Sequence, residues 1–562
     1  MKLNYKRTIF VGLAFFLICA FWQAYDTIIP KILVDKFGMS QANSGIVMAL
    51  DNVLAIALLP LFGVLSDRTK TKLGRRTPYI LIGTLVAVVA FVGLSLVDNA
   101  QKANLKTAQQ VESVLFDSDY DGLKRQDSMT AGEGIDLVLE SVSGKELINT
   151  DGIHFIVDPA SAPENAIKLS DYVKTAKNDL DPNAVVVVDR SEFTDIRQYF
   201  SEDGKSPGKL YTDIYVPARQ VYAQGVRAGH PGTLIAFIVV LLVVLLAMCT
   251  FRSPAVALMP DVTLKPLRSK ANAVINLMGS AGGILVLGLG IFFKTGSVKN
   301  SLMSYTAFFA VIAGVMLLAL IVFLITVREP KFVDEAEEAR KRFGIEEDTG
   351  DENGGGRKLS PGERRSFILL LLSVALWFMG YNAVTSKYSV YANKVLDLDY
   401  NLTLMIAQGA AIISYIPVGL IASKVGRKKT ILAGVLMLAG SFLVACFLRK
   451  GSSALLMNCM FALAGIGWAT INVNSFPMVV ELCKGGNVGK FTGYYYTASM
   501  AAQVLTPYLS GLLMDKTGMT SLFPYAVVFV GLSFVTMLFV MHGDSKPQKK
   551  SGLEAIGEAD TD

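Results

Sequence analysis

The stretch GVLSDRTKTKLGRRTP, residues 63–78, is a dense cationic hinge between two runs too apolar for water. The runs on either side, 44–65 and 78–97, are each about 20 residues, long enough to cross a hydrocarbon core of roughly 30 Å. The hinge therefore reads as a short loop between two membrane helices. It carries Arg68, Lys70, Lys72, Arg75 and Arg76, and short loops rich in Lys and Arg stay on the cytoplasmic side. That places the loop inside and orients the rest of the chain.

Composition agrees. A chain of 562 residues with 52% hydrophobic residues is too apolar for a soluble protein, and at 18% charged it is more than membrane helices. It reads as a polytopic membrane protein with soluble pieces, multi-pass in the cell membrane with both termini cytoplasmic. The net charge of +6 is assigned to loops facing anionic lipid headgroups, so no nucleic-acid partner is expected. The five cysteines lie in or beside apolar runs, without a CxxC pair, and imply neither a disulfide framework nor a metal site. The N-terminal run continues past Trp22 to Pro30 without a small-residue cleavage site, so it reads as a retained first helix.

Spans are expected at about 9–31, 44–65, 78–97, 232–257, 271–293 and 304–327, then at 366–391, 402–422, 430–448, 453–476, 491–514 and 522–541. The organisation is then a first half with helices 1–3 (residues 1–97) and 4–6 (232–327), a soluble insert (98–231), a cytoplasmic linker (328–365), a second half with helices 7–12 (366–541) and a cytoplasmic tail (542–562). The linker, EPKFVDEAEEARKRFGIEEDTGDENGGGRK, reads as a solvated charged helix running into a flexible tract. The insert is long enough to fold: AVVVVD (184–189) reads as a buried strand and SEFTDIRQYF (191–200) as a helix, giving an extracellular α/β domain.

Gly63, Asp67, Arg68, Gly74, Arg75 and Arg76 resemble the signature between helices 2 and 3 of the major facilitator superfamily. The lengthened form, with TKTKL inside it, Pro60 upstream and GRRTP downstream, is most similar to the proton-coupled sucrose and disaccharide transporters and the glycoside-pentoside-hexuronide:cation symporters. A degraded copy, GLIASKVGRKKT (419–430), has Ser423 in the aspartate's place. The resemblance implies an all-α major facilitator fold, two six-helix repeats with the insert between helices 3 and 4. It also implies a gating role for the signature residues. SPAVALMPD (253–261) resembles the fourth-helix segment of the sucrose transporters and matches at Asp261, another gating candidate. Their substrate arginine, however, is replaced by Val256, and Arg252 lies one turn earlier. The aspartates that bind the cation in the neighbouring symporters correspond to Ala55 and Leu59, which speaks against sodium.

Ionisable residues within the spans are few: Asp26, Asp51, Arg252 and Lys387, with Asp67, Asp261, Glu481 and Asp515 near helix ends. Such residues are costly in lipid and face a cavity or a partner. Asp26 and then Asp51 are the candidates for proton coupling, since no histidine lies in the membrane interior. The competing reading makes them packing acids paired with Arg252. Arg252's five-donor fork suits hydroxyls or carboxylates. Sugars need amides at their edges and rings against their C–H faces. Candidates are Trp22, Gln23, Tyr25 and Asn52, then Asn272 and Asn276, and in the second half Trp377, Tyr381, Asn382, Gln408, Trp468, Asn472, Asn474, Tyr494 and Gln503. Packing or interface anchoring is the competing reading for each aromatic, and GSAGG (279–283) reads as close helix approach.

GGNVGKFT (485–492) lacks the proper spacing of a phosphate loop, and DSDYDG (117–122) has Ser128 where a calcium loop needs glutamate. No hydrolase or zinc-protease motif occurs, so neither an enzyme nor a cofactor is expected. The resulting expectation is a monomeric secondary transporter moving a disaccharide or other glycoside with a proton. Rival readings are an exporter or facilitator of another solute, and a receptor whose insert binds ligand.

Overall fold

The computed structural model describes residues 3–117, 121–174, 185–190, 195–201, 204, 207–264, 267–343, 359–482 and 488–543. The linker tract 344–358, the tail from 544, and the Ser423 and Glu481 side chains lie outside the described residues, as do part of DSDYDG and the first three residues of GGNVGKFT.

The chain opens with α1 (Tyr5–Lys31), prolonged by a π turn over Ile32–Lys36, then α2 (Gln41–Arg68) and α3 (Thr77–Asn104). Asn4 and Ser40 cap α1 and α2 by accepting from backbone N–H groups three residues on, and Pro78 stands in the first turn of α3. The insert follows as α4 (Lys106–Asp117), α5 (Arg125–Glu140), β1 (Glu146–Ile148), β2 (His154–Val157), β3 (Ile167–Lys168), α6 (Leu169–Lys174), β4 (Val185–Val188) and α7 (Val216–Gly229). Then come α8 (Pro231–Asp261), α9 (Arg268–Phe292), α10 (Thr306–Thr326) and the linker helix α11 (Glu329–Phe343). The last six are α12 (Pro361–Tyr391), again prolonged by a π turn, α13 (Tyr400–Val425), α14 (Arg427–Ala445), α15 (Ala454–Glu481), α16 (Val488–Thr517) and α17 (Leu522–Leu538).

Ten described helical segments are long and apolar enough to cross a membrane. Helices α13 and α16 pack in the same bundle. The contacts repeat. In the first half α1 lies on α9 and α10, while α8 lies on α2 and α3, and α3 meets α10. In the second half α12 lies on α16 and α17, while α15 lies on α13 and α14, and α14 meets α17. Each half has its own apolar core. The halves meet through α2 on α16, α9 on α13 and α1 on α12, which is also a symmetric set.

Three expectations need correction. Helix α3 runs past residue 97 to Asn104 because Asp98, which ended the apolar run, is buried and takes both its oxygens to Lys36 Nζ (2.7 and 2.6 Å). The insert does carry a sheet, ordered β1-β2-β4-β3 with β1 antiparallel and the others parallel. The helix expected over 191–200, however, is a single 3-10 turn over Ile196–Tyr199, capped by Asp195, with 191–194 outside the described residues. Nor is α11 merely solvated. Glu329 is 1% exposed, and Arg7 reaches the helix through the Phe332 carbonyl (2.7 Å) and Glu335 (3.0 Å).

Candidate functional site

Helix α1 sits among α2, α8, α9, α10 and α12, and Phe21, Ala24, Tyr25, Ile28 and Ile29 on it are wholly enclosed. Asp26, in the same turn, is exposed, and Trp22 and Gln23 are half-buried. An exposed acid in the middle of so crowded a helix opens onto an internal space between the halves. Gln23 bounds that space by accepting from Gln408 Nε2 of α13. Gly283 of α9 leaves the amides room, since a Cβ there would lie 3.1 Å from Gln408 Oε1.

Around Asp26 the first half gathers charge. The Arg252 guanidinium lies 5.6 Å from the centroid of the Trp22 ring. Asp51 is within electrostatic reach of both Asp26 and Arg252, and accepts from Asn52 Nδ2 at 2.8 Å. The structure thus brings the sequence-selected acids, arginine and indole together. On the second half Tyr381 stacks on Trp468 at 3.6 Å and 2°, with Phe378 edge-on to the indole. Asn382 and Gln503 are half-buried. Tyr494 is 43% exposed at the far end of α16, against Phe367 and Phe491.

Other candidates are buried. Tyr25, Trp377, Asn276 and Asn474 are 0%, 0%, 3% and 1% exposed. Tyr25 packs on Phe21 and Trp22, and Trp377 lies in the second half's apolar core. Asn474 donates back to its own helix at the Thr470 carbonyl (2.9 Å). Asn272 and Asn472 are likewise buried. All six are buried, and Tyr25 Oη, Trp377 Nε1, both amide atoms of Asn276 and Asn472 Oδ1 have no hydrogen-bond partner among the described residues.

The cationic loop is locked within the first half. Arg76 donates to Asp261 (2.9 Å), to Asp67 and to Ser66, and Arg75 pairs with Asp261 at 2.7 Å. Arg76 also reaches the Gly63 carbonyl at 3.4 Å. Arg68 is exposed and forms no ion pair among the described residues. A group missed from the sequence completes the cluster: the Glu329 carboxylate accepts from the backbone N–H of Arg75, Arg76 and Thr77 (2.8, 2.9 and 2.8 Å) and from Thr77 Oγ1 (2.7 Å). Gly74, at φ +110°, is needed beside it, because a Cβ would stand 2.3 Å from the Glu329 carboxyl carbon. The only sequence signal was an acid directly after the sixth apolar run.

The opposite end, which bears the insert, is closed by contacts between the halves. Asp515 of α16 accepts from the Gln41 and Ala42 N–H groups at the start of α2 (2.7 and 2.8 Å), and Lys387 Nζ donates to the Gln41 carbonyl (2.5 Å). Asn401 Nδ2 donates to Thr295 Oγ1 (3.0 Å), and Lys394 pairs with Asp35 at 3.1 Å. The insert joins in. Its Arg219 pairs with Asp35 (3.4 Å) and Glu112, while the Thr150 carbonyl accepts from Thr520 N–H (3.2 Å). Burial lowers the Arg219 pKa from its ordinary value, with Asp35 opposing.

Comparison with known proteins places this arrangement. Residues 225–484 and 409–559 match the family model described as Major Facilitator Superfamily, and residues 10–117 match MFS/sugar transport protein. The inward-open xylose transporter XylE from E. coli superposes with TM-score 0.53 at 14% identity, covering 98% of each chain. A D-xylose-proton symporter gives TM-score 0.54 at 12% identity, covering 96% of this chain and 99% of the other. A curated relative, the MFS-type transporter ppzB of Metarhizium rileyi (strain RCEF 4871), is 23% identical over 133 residues, which is 24% of this chain. The chain spans only 27% of that relative's length.

Proposed function

This chain belongs to the major facilitator superfamily, a family of multi-pass membrane transporters and not of enzymes, and from that premise we propose that it carries a sugar through the space beside Asp26. On this reading twelve spans form two repeats, the cationic loop and both termini face the cytoplasm, and the insert lies outside. The cargo is a disaccharide or other glycoside, and a proton travels with it. Asp26 and Asp51 take and release the proton as the cavity exchanges sides, with Arg252 as the neighbouring cation. Gln23, Gln408 and Asn52 bind hydroxyls, and Trp22 with the Tyr381–Trp468 stack offers ring surface to C–H faces.

One observation carries the reading: an exposed carboxylate on a stretch of α1, residues 10–31, that is otherwise buried or half-buried, with an acid, an arginine and an indole beside it and a cross-half amide bond nearby. Lipid does not tolerate such a group, so it serves a wet path. The sugar assignment is supported by the match of residues 10–117 to the sugar-transport family model. In proteoliposomes, labelled disaccharides should accumulate under an inward pH gradient. Asp26→Asn should abolish accumulation and spare exchange. Full uphill uptake in that variant removes Asp26 from the mechanism, and absence of gradient-driven uptake across a panel of mono- and disaccharides removes the sugar.

A further inference from the structure

The insert does not rest on the bundle as a flat cover. It encloses, with both halves, a cavity of about 290 Å³ near the closed end. The insert supplies Tyr211, Thr212 and Arg219 to the wall, the α9–α10 connection supplies Ser297, Lys299 and Ser301, and the second half supplies Asn393, Lys394, Asp397 and Lys450. We propose that this junction is a binding site for a small hydroxylated anion, a carboxylate or phosphate ester, and that its occupant holds this end shut.

The charge balance points to an anion. Four cations line the wall and one acid, Asp397, does so, paired with Lys450 at 3.3 Å. Behind the wall, Asp35 serves both Arg219 and Lys394, and Glu112 serves Arg219 again. Three acids therefore face four cations, which leaves one positive charge unmatched within the cluster. Lys299, exposed on the rim, forms no ion pair among the described residues. Arg219 and Lys394 have side chains 3% and 6% exposed and are fixed by shared acids, so two of the cations are already ordered before anything binds. The Arg219 Nε has no hydrogen-bond partner among the described residues. Its Nη1 donates to Ser301 Oγ at 3.2 Å, which ties the insert to the α9–α10 connection. Hydroxyl groups of Tyr211, Thr212, Ser297 and Ser301 surround these cations and can donate to or accept from the hydroxyls of a solute.

The regulatory consequence follows from where the walls come from. Opening this end separates Lys394, Lys450 and Asn393 from the insert and the first half, which dismantles the site. A ligand that binds only the closed form stabilises it by mass action and slows the cycle.

The test uses the whole chain purified in detergent. Gluconate and inorganic phosphate are the probes, with sorbitol as the uncharged control, and binding is read by calorimetry. Gluconate should bind, sorbitol should not, and the double variant Lys299→Ala/Lys450→Ala, both on exposed side chains, should weaken gluconate at least tenfold while melting like the parent. A cysteine pair, Thr150→Cys/Thr520→Cys, reports closure: gluconate should speed formation of the 150–520 disulfide, identified by peptide mass spectrometry. Reconstitution into phosphatidylcholine vesicles with and without phosphatidylglycerol separates sources. Loss of gluconate binding only with the anionic lipid identifies a lipid phosphate as the natural occupant. No binding of either anion, equal binding by the double variant, or slower cross-linking with gluconate overturns the proposal. These readouts do not depend on sugar uptake.

Discussion

Replacing Glu329 by Gln tests whether a single buried carboxylate organises the cationic loop. The carboxylate is 1% exposed and accepts from four donors at the first turn of α3, three backbone N–H groups, of which that of Arg76 reaches both oxygens, and Thr77 Oγ1. Glutamine keeps the shape but turns one acceptor into a donor. If the amide nitrogen replaces Oε2, the Thr77 N–H loses its acceptor while the Thr77 hydroxyl can turn to accept from the amide; if it replaces Oε1, the Arg75 N–H loses its acceptor while Arg76 keeps Oε2 at 3.1 Å. One bond to a charged acceptor lost either way is a local loss of about 1.5–3 kcal/mol, with the α3 dipole pulling the same way. That corresponds to roughly a 10- to 150-fold rise in local opening. Hydrogen exchange of a peptide covering residues 73–79, followed by mass spectrometry, should quicken by that order. Glu335→Gln is the control. It removes the Arg7 pair at 3.0 Å from a side chain 48% exposed, worth under about 1 kcal/mol, and should leave that peptide unchanged. Exchange in Glu329→Gln within threefold of the parent would refute the claim that this acid holds the loop.

Three further outcomes follow from the same geometry. Gly45→Ala would place a Cβ 2.1 Å from the Pro507 carbonyl oxygen where α2 crosses α16, so closure of the insert-bearing end should fail. A Gln41→Cys reporter should then react with maleimide at least tenfold faster, and unchanged labelling would exclude this crossing as part of the closed state. Lys36 and Asp98 form a pair with both side chains 0% exposed. Lys36→Met should cost about 3–5 kcal/mol by stranding the acid, and adding Asp98→Asn should recover at least half in thermal melting; no recovery would refute the pairing argument. Burial raises the Asp213 pKa, Tyr172's hydrogen bond and Lys209 oppose it, and Asp151 adds to it. A carboxyl raised on folding binds more protons in the folded state. Insert stability should therefore fall as pH climbs from the ordinary carboxylate range through the raised value. Asp213→Asn should flatten that dependence in hydrogen exchange of the insert peptides, and an unaltered slope would assign it elsewhere.

The sequence made the bundle legible because lipid imposes a coarse rule: apolar runs of sufficient length, punctuated by cations. The rule failed where a charge is paired out of sight. Asp98 ended an apolar run on paper but continues α3 in space because Lys36, some sixty residues away in the chain, neutralises it. Glu329 was hidden for the same reason, being one acid in a charged tract until folding carries it to Arg75 and Thr77. Asp26, Asp51 and Arg252 were visible because an ionisable group inside an apolar run is conspicuous without knowledge of which way it faces. Tyr25, Trp377 and Asn474 were chosen without knowledge of facing, and the structure buries them at 0%, 0% and 1% exposure. These helices are apolar almost all round, so their periodicity does not separate a wall of the space from the interior of a half.

The two ends differ in what their contacts would cost to break. At the cationic loop the named bonds lie within the first half and the linker helix α11 that follows it, and can persist through a rigid-body movement of that half. At the insert-bearing end the bonds run between halves, and most terminate on groups that water can also satisfy. Asp515 caps two N–H groups at the start of α2, and Lys387 sits on a carbonyl. The Asp515 contacts are helix-end caps that solvent replaces at a net cost of about 1.5 kcal/mol each, and Lys387, 0% exposed in the closed end, gains water when that end opens. The backbone crossings at Gly45–Pro507 and Gly511–Gln41 bring chains close without burying large side chains. Asp35 is the instructive exception, since stranding a buried acid would cost several kcal/mol. It does not have to be stranded. Lys394 would leave with the second half, but Arg219 is tied to the first half through Gln220, whose Nε2 donates to the Met39 carbonyl at 2.9 Å. The insert can thus supply Asp35 with a partner in both arrangements, and a closed end held by exchangeable bonds around a permanently compensated acid can open without a prohibitive barrier.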